Sequence, residues 1–265
     1  MFPSFQLFGR AIPSYWLCSL LGFIVCSFVA FFRQKKFKEL QEVDISNSAA
    51  LMIAGIMIGG RLLYFLTILP LLIRNYQLLL NDHSLAYEIL SNGMVFYGGL
   101  FGALIVLILY IKKYDLPRNL FFDFYAPLFP LFHAFGRVGC FLTGCCHGQV
   151  SYKLGIAYKV SNSAMNGIPY FPIQLLCSLG NLVLCLFVFS FERKHHKQGK
   201  SMILYLLLYA VGRFFIEFFR GDSVRGFLFG LSTSQWISLI IVAAYLGVKS
   251  GIIHLFADKP QDVSF

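Results

Sequence analysis

Charged side chains are scarce in this sequence. Only 13% of its 265 residues are Asp, Glu, Lys or Arg, whereas a soluble domain carries about a quarter. Hydrophobic residues make up 58% of the chain, and Phe alone occurs 30 times. This composition excludes an ordinary soluble domain and indicates an integral membrane protein.

Acidic residues are scarcer than basic ones, with 12 Asp and Glu against 22 Lys and Arg and a formal net charge of +10. The sequence lacks an RRM, zinc-finger or helix-turn-helix signature, so the charge does not indicate a nucleic-acid partner. The basic residues lie instead in short clusters beside apolar segments, a pattern typical of membrane topology. We therefore expect membrane lipid, and no nucleic acid, among the partners.

Signals for processing or for a second domain are also lacking. Residues 1–12 have no basic n-region, and no small-residue cleavage site follows the first apolar run, so we expect no cleavable signal peptide. The chain contains no linker and no low-complexity segment. We therefore expect one domain over residues 1–265.

Seven apolar segments approach the 20 or so residues that a helix needs to cross a bilayer. They run over 15–32, 49–70, 94–111, 121–143, 171–191, 201–219 and 234–254. The fourth is irregular because it contains Pro127, Pro130 and several glycines. The sequence thus predicts an all-α membrane protein with seven transmembrane helices.

The orientation of these helices follows from the loops that carry Lys and Arg. Loops one, three and five contain Arg33, Lys35, Lys36 and Lys38; Lys112, Lys113 and Arg118; and Arg193, Lys194, Lys197 and Lys200. Positively charged loops face the cytoplasm. We therefore expect the amino terminus outside and the carboxyl terminus in the cytoplasm.

Three arginines interrupt apolar segments, and each follows a glycine. Arg61, Arg137 and Arg213 lie in predicted helices two, four and six, which run in the same direction and place them at similar depth toward the outer leaflet. Glu217 lies four residues after Arg213, and Arg220 follows three residues later, so helix six contains an ion pair. Structural ion pairs or snorkelling would explain single arginines. Three at matched depth favour a cationic pocket that binds a phosphate.

Two other polar features have structural interpretations. Tyr97 precedes Gly98, Gly99 and Gly102, a small-residue face that indicates helix packing or lipid contact. Asp123 opens helix four, and the acid is more typical of a helix cap or first turn than of a catalyst.

The stretch "GRVGCFLTGCCHG", residues 136–148, places Cys140, Cys145 and Cys146 shortly after Arg137. The thiols are compatible with a metal site, a disulfide, a nucleophile or simple packing. Their spacing does not match the C-x-x-C pattern common in zinc sites, and packing is favoured. His133, in an apolar helix, is interpreted as structural.

Several motifs together resemble the prolipoprotein diacylglyceryl transferase family. They are "YWLCSLLGF", "GGRLLY", "YGGLFGAL", "DFYAPLFPLFHAFGRVGCFLTG", "FPIQLL", "YAVGRFFIEFFR" and "GLSTSQWISL". The resemblance covers most of the chain, and the block around Arg137 and the block from Arg213 to Arg220 are specific.

This resemblance implies a multi-pass transferase of the bacterial cytoplasmic (inner) membrane that acts in lipoprotein biosynthesis. Such an enzyme transfers the diacylglyceryl group of phosphatidylglycerol to the lipobox cysteine thiol of a preprolipoprotein, and releases glycerol phosphate. No cofactor or metal is implied. The implied catalytic residues are Arg137, Arg213, Glu217, Tyr97 and Cys145, and the implied substrate-binding residues are Arg137, Arg61, Tyr15, Gly98, Gly99, Gly136, Gly139, Gly148 and Tyr209.

Some signature positions depart from the family pattern. Tyr97 stands where some members have a histidine and others a tyrosine. Cys140 and Thr143 replace asparagines, Cys145 and Cys177 replace glutamates, and Phe171 replaces a histidine. The cationic residues are retained while acidic and amide residues are lost. Two alternatives therefore stay open: a relative that uses a different acceptor, and a lipid-binding membrane protein without enzymatic activity.

Overall fold

The computed structural model describes residues 3–7, 10–74, 76, 93–161, 166–194, 199–221 and 227–250. Their helices are α1 (Ser14–Gln34), α2 (Glu42–Arg74), α3 (Phe96–Lys113), α4 (Arg118–Tyr125), α5 (Leu128–Thr143), α6 (Ile173–Lys194), α7 (Lys200–Ile216) and α8 (Thr233–Lys249). A short 3₁₀ turn, Glu217–Phe219, follows α7. Three antiparallel pairs of short strands accompany them: β1 (Ser4–Leu7) with β2 (Arg10–Pro13), β3 (Ile156–Ala157) with β4 (Pro169–Tyr170), and β5 (Phe227–Leu228) with β6 (Leu231–Ser232).

The predicted fourth segment is two helices. α4 ends at Tyr125 and α5 begins at Leu128. Pro127 lies at the break because its ring disfavours helical backbone at the preceding residue. Pro130 lies in the first turn of α5, where a missing N–H is tolerated.

Among the described residues, five helices are long and apolar enough to span a membrane: Ser14–Gln34, Glu42–Arg74, Phe96–Lys113, Ile173–Arg193 and Lys200–Phe219. α5 has 16 residues and α8 has 17, which is shorter than a typical span. Residues 251–254 of the last predicted span lie outside the described residues. A mostly helical membrane protein is therefore confirmed, while the number of seven spans and their orientation stay predictions.

The chain forms two compact units, residues 1–30 with 123–265 and residues 31–122. In the first unit α5 packs on α6, α6 on α7, and α7 on α8. In the second unit α2 packs on α3. The prediction of a single domain stays a prediction.

Small residues allow the two helices of the second unit to approach closely. A Cβ added at Gly55 would lie 2.6 Å from the carbonyl oxygen of Gly102, and one added at Gly59 would collide with the carbonyl of Gly98. Two glycines four residues apart on each helix therefore let the backbones touch. The packing interpretation of the glycine face on α3 is confirmed.

Asp123 caps a helix other than its own. Its carboxylate accepts hydrogen bonds from the backbone N–H groups of Gly199 (2.7 Å) and Ser201 (2.9 Å) at the start of α7. These are donors that a helix amino terminus leaves without intrahelical partners. The structural interpretation of Asp123 is therefore correct, but the helix that it caps begins 77 positions later in the chain.

Candidate active site

A cavity of about 340 Å³ lies between α5, α6 and α7 in the first unit. Its polar lining consists of His133, Arg137, Cys177, Asn181, Tyr209 and Arg213, and its apolar lining of Val183, Leu184, Phe187, Leu208 and Ile216, with Gly180 and Gly212 completing the wall. The volume is within the range of small-molecule sites. Two guanidinium groups therefore border a cavity whose remaining walls are mostly hydrocarbon.

Arg137 lies on the inward face of α5 and is only 7% exposed. Its Nε donates a hydrogen bond of 3.0 Å to Nε2 of His133, one helical turn earlier. Because Nε2 accepts this bond, the His133 ring is neutral and carries its proton on Nδ1. The imidazole therefore orients the guanidinium without adding a charge.

Arg213 lies on α7 and is equally buried. Its Nη2 contacts Glu217 Oε2 at 2.7 Å and donates to Ser234 Oγ at 3.2 Å. Arg220 Nη1 also lies 3.8 Å from Glu217 Oε2. The ion pair predicted between Arg213 and Glu217 is confirmed.

One nitrogen of Arg213 is available to a ligand. Its Nη1 is buried and has no hydrogen-bond partner among the described residues. A buried donor without a partner costs about 1–3 kcal/mol, and more when the group is charged. An anion in the cavity would supply the acceptor that Nη1 lacks.

Tyr209 lies one turn before Arg213 on α7 and is buried. Its ring lies 5.5 Å from that of His133 and 5.9 Å from that of Tyr205, measured between centroids. The structure thus brings Arg137, Arg213 and Tyr209 to one cavity.

The predicted residues Tyr15, Gly136 and Gly139 lie together where α1 meets α5. A Cβ added at Gly139 would lie 3.1 Å from Tyr15 Cα, whereas one added at Gly136 would lie 3.9 Å from the Tyr15 hydroxyl. Gly139 therefore lets the two helices approach, and Gly136 leaves room beside the phenol.

Gly148 has a different setting, in the loops beyond α5. Its N–H donates to the carbonyl of Phe171 (3.1 Å), and its backbone pairs with that of Arg220 in an isolated β-bridge. A Cβ at this position would lie 2.5 Å from the Phe171 carbonyl oxygen. Gly148 is thus required by the close approach of three backbone segments.

The thiols of Cys140, Cys145 and Cys146 converge. Their sulfur atoms all lie within 4.8 Å of one another, and Cys145 Sγ lies 3.2 Å from Thr143 Oγ1. The thiols therefore form one cluster at the carboxyl end of the helix that carries Arg137.

The three thiols differ in acidity. A hydrogen bond with Cys140 lowers the pKa of Cys145, but the bond with Cys146 and burial outweigh it and raise this pKa to about 11. Hydrogen bonds from Cys140 and Cys145, together with the charges of Arg220 and Arg137, lower the pKa of Cys146 instead. Cys146 is therefore the more acidic of the two.

Four predicted site residues, Arg61, Tyr97, Gly98 and Gly99, belong to the second unit. Tyr97 is buried and stacks on Phe101 with ring centroids 5.9 Å apart. A Cβ added at Gly99 would lie 3.2 Å from the side chain of Ile56. The part of these four residues in a binding site stays a prediction.

Sequence reasoning did not place two polar residues in the cavity, His133, which was interpreted as structural, and Asn181, which was not considered. His133 precedes Arg137 by one helical turn, a spacing that places both on one helix face. Asn181 is an amide in the middle of an apolar helix, and such residues are uncommon in membrane segments unless they have a function. Both signals were present in the sequence.

The apolar helices define a helical membrane protein, and two buried guanidinium groups border its apolar-walled cavity. The family model for prolipoprotein diacylglyceryl transferase matches residues 3–249. This chain belongs to that family.

Proteins with this transferase name are similar to the chain over most of their length. The phosphatidylglycerol–prolipoprotein diacylglyceryl transferase of Clostridium tetani is 36% identical over 239 residues, which cover 90% of this chain and 92% of the relative. The transferase 2 of Clostridium perfringens is 32% identical over 238 residues (89% and 90%). The protein of Teredinibacter turnerae is 30% identical over 272 residues (98% and 92%).

Proposed function

We propose that this protein transfers the diacylglyceryl group of phosphatidylglycerol to a cysteine thiol of a prolipoprotein. The similar proteins are named for this donor and this acceptor. The observation that carries the proposal is that Arg137 and Arg213 line the same apolar-walled cavity.

The lining matches the two parts of the donor lipid. Arg137 and Arg213 bind the phosphate, since guanidinium groups donate paired hydrogen bonds to its oxygens. Apolar side chains such as Leu184, Phe187 and Leu208 contact the glyceryl carbons and the first part of the acyl chains. The volume of about 340 Å³ holds this central part of the lipid, while the rest of each chain stays in the bilayer.

The reaction is a displacement at the glyceryl carbon that carries the phosphate. The acceptor sulfur, as a thiolate, forms a C–S bond to this carbon while the C–O bond breaks. The electron pair leaves with the phosphate oxygen, so glycerol phosphate departs with one more negative charge than the bound phosphodiester. Arg137 and Arg213 stabilise the charge that develops.

The remaining site residues support this step. Glu217 holds Arg213 in place, and Cys145 lies beside the site as a supporting thiol rather than as a nucleophile. Substrate contact is assigned to Tyr15, Tyr209, Gly136, Gly139 and Gly148, and Arg61, Tyr97, Gly98 and Gly99 are assigned to the site on the resemblance alone. The acceptor is the lipobox cysteine of a preprolipoprotein, and the enzyme spans the bacterial inner membrane seven times with its amino terminus outside. No cofactor or metal takes part in this step.

The test uses purified protein in liposomes with phosphatidylglycerol labelled in its diacylglyceryl group and a lipobox peptide. We expect lipidated peptide and released glycerol phosphate in equal amounts. Arg137→Ala should lower the initial rate at least about 100-fold, and Arg137→Lys should also lower it strongly because an ammonium group lacks the paired donors. Arg193→Ala, which removes an exposed arginine, is the matched control. Near-normal activity of Arg137→Ala would contradict the proposal.

The signature departures favour one further candidate, a transferase with another acceptor. Cys140, Thr143 and Cys145 stand where the family signature has asparagines and a glutamate. Release of glycerol phosphate without lipidation of the peptide would support this candidate. Binding of phosphatidylglycerol without any release would support a lipid-binding protein that is not an enzyme.

A further inference from the structure

The thiol cluster of Cys140, Cys145 and Cys146 supplies no reacting atom to the proposed displacement. Its three sulfur atoms lie within 4.8 Å of one another. In the part of the chain that the structure describes, this is the one group of three or more Cys, His, Asp or Glu side chains close enough to hold a metal ion.

The helix end brings the first two sulfurs together. Gly144 adopts a left-handed conformation (φ 71°), Gly144 N–H donates to Phe141 O (3.2 Å), and Cys145 N–H donates to Cys140 O (3.1 Å). This is a Schellman motif, in which the side chains at the positions of Cys140 and Cys145 meet. In most Schellman motifs these two side chains make a hydrophobic contact, whereas here both are thiols.

An unfavourable backbone conformation brings the third sulfur. Cys146 has a φ of 52°, a left-handed conformation that costs a residue other than glycine about 1 kcal/mol or more. Asn or Gly would adopt it more easily. A cysteine at this position is therefore better explained by its side chain than by its backbone.

The distances fit a metal ion. A metal with sulfur bonds of about 2.3 Å holds its ligands about 3.8–4.0 Å apart. The triad reaches this spacing by contracting less than about 1 Å. Cys145 and Cys146 are half-buried, so an ion can enter from the loop side.

The histidine that follows does not complete a tetrahedral site. His147 is not among the described side chains whose ligand atoms lie within 4.8 Å of one another. Its ring packs on Tyr170 with centroids 4.1 Å apart, and its Nδ1 lies 3.0 Å from the carbonyl oxygen of Gly148. Structural zinc takes four protein ligands. Three thiolates without a fourth ligand suit a softer ion, and thiolate sulfur selects Cu(I).

We propose that Cys140, Cys145 and Cys146 form a three-sulfur binding site for a thiophilic metal ion, with Cu(I) the ion that fits best. Three thiolates and one monovalent cation have a net charge of −2. Arg137 lies three residues before Cys140 on α5, which places a positive charge on the neighbouring turn. The proposal does not depend on the transferase activity.

The test is a Cu(I) titration of the full-length reduced protein in detergent against the chelator bathocuproine disulfonate. We expect one Cu(I) per chain, and X-ray absorption should show three sulfur neighbours at about 2.3 Å. Cys140→Ser and Cys146→Ser should each weaken binding at least about tenfold. Cys185→Ser, a buried thiol on α6, is the matched control and should bind like the unaltered protein.

Several results would overturn the site. One is an unchanged Cu(I) affinity in Cys146→Ser. Another is a Cu(I) affinity that falls as much in Cys185→Ser as in Cys146→Ser. A third is tighter binding of Zn(II) than of Cu(I). A disulfide among the three cysteines in protein alkylated before lysis would do the same, because it consumes two ligands. The absorption measurement uses the unaltered protein, so it decides the question even if a variant folds poorly.

Discussion

His133 shows how a neutral side chain determines what a charged one does. It accepts the Nε–H of Arg137 at 3.0 Å in a buried setting. This bond leaves the terminal nitrogens of the guanidinium for the cavity. We therefore predict that His133 positions Arg137 and does not act as a base.

Replacement of His133 separates these two roles. We expect His133→Ala to lower kcat/KM for phosphatidylglycerol about 10- to 100-fold, since a hydrogen bond to a charged group contributes about 1.5–3 kcal/mol. His133→Gln, which keeps an acceptor, should restore part of the loss. The pH profile of kcat between 6 and 8 should be the same in His133→Gln and the unaltered protein. A pH dependence that is present in the unaltered protein and absent in His133→Gln would identify His133 as a base instead.

For individual residues, the sequence predicted the charged groups of the site better than the residues that contact them. Arg137, Arg213 and Glu217 were recognisable because ionised groups in apolar segments are rare. The partnership of His133 and Arg137 was not, because helical spacing alone does not say which face borders a cavity. The thiol cluster was not predicted either, since it depends on the left-handed conformations of Gly144 and Cys146.

At the scale of helices, the crossing of α2 and α3 depends on the absence of side chains. Gly59→Ala should destabilise the protein by about 1–3 kcal/mol, because the new methyl group would collide with the carbonyl of Gly98. Gly60→Ala is the control, since its methyl group would mainly meet the flexible end of Met94 at 3.0 Å. Thermal unfolding in detergent compares the two variants. Equal unfolding temperatures would contradict the close crossing.

The cavity wall between α6 and α7 allows a different experiment. A Cβ added at Gly212 would have no heavy atom within 4 Å among the described residues. Gly212→Ala should therefore keep most of the activity, whereas Gly212→Leu should fill part of the cavity and lower transfer at least about tenfold at unchanged thermal stability. Initial rates at matched protein levels test this. Full activity of Gly212→Leu would place the lipid elsewhere.

The sequence predicted the positions of the helices, except that one predicted segment is two helices in the structure. Apolar runs predicted where helices lie, because burial in lipid requires long hydrocarbon segments. They did not predict the division of the fourth segment into α4 and α5 at Pro127. Hydrophobicity alone does not locate such a break, which depends on the backbone restriction that Pro127 imposes.

For the whole molecule, the distribution of Lys and Arg predicts the topology. Reporter fusions after residues 36, 115 and 196 should all report the cytoplasm, because the loops after helices one, three and five carry most of the positive charge. Fusions within 144–161, between α5 and α6, should report the outside. An external signal at any of the first three sites would require a different number of spans.

The cap that Asp123 provides for α7 sets an order of events during synthesis. Its first partner, Gly199, lies 76 residues later in the chain. At a synthesis rate of about 5–20 residues per second, Gly199 is added roughly 4–15 s after Asp123. Throughout this interval a carboxylate destined for burial has not met the two N–H groups that will hold it. The helix that carries Arg137 is therefore synthesised before Asp123 can form these two hydrogen bonds. A chain that ends before residue 199 would therefore contain Arg137 but lack the two N–H groups that bind Asp123 in the folded protein.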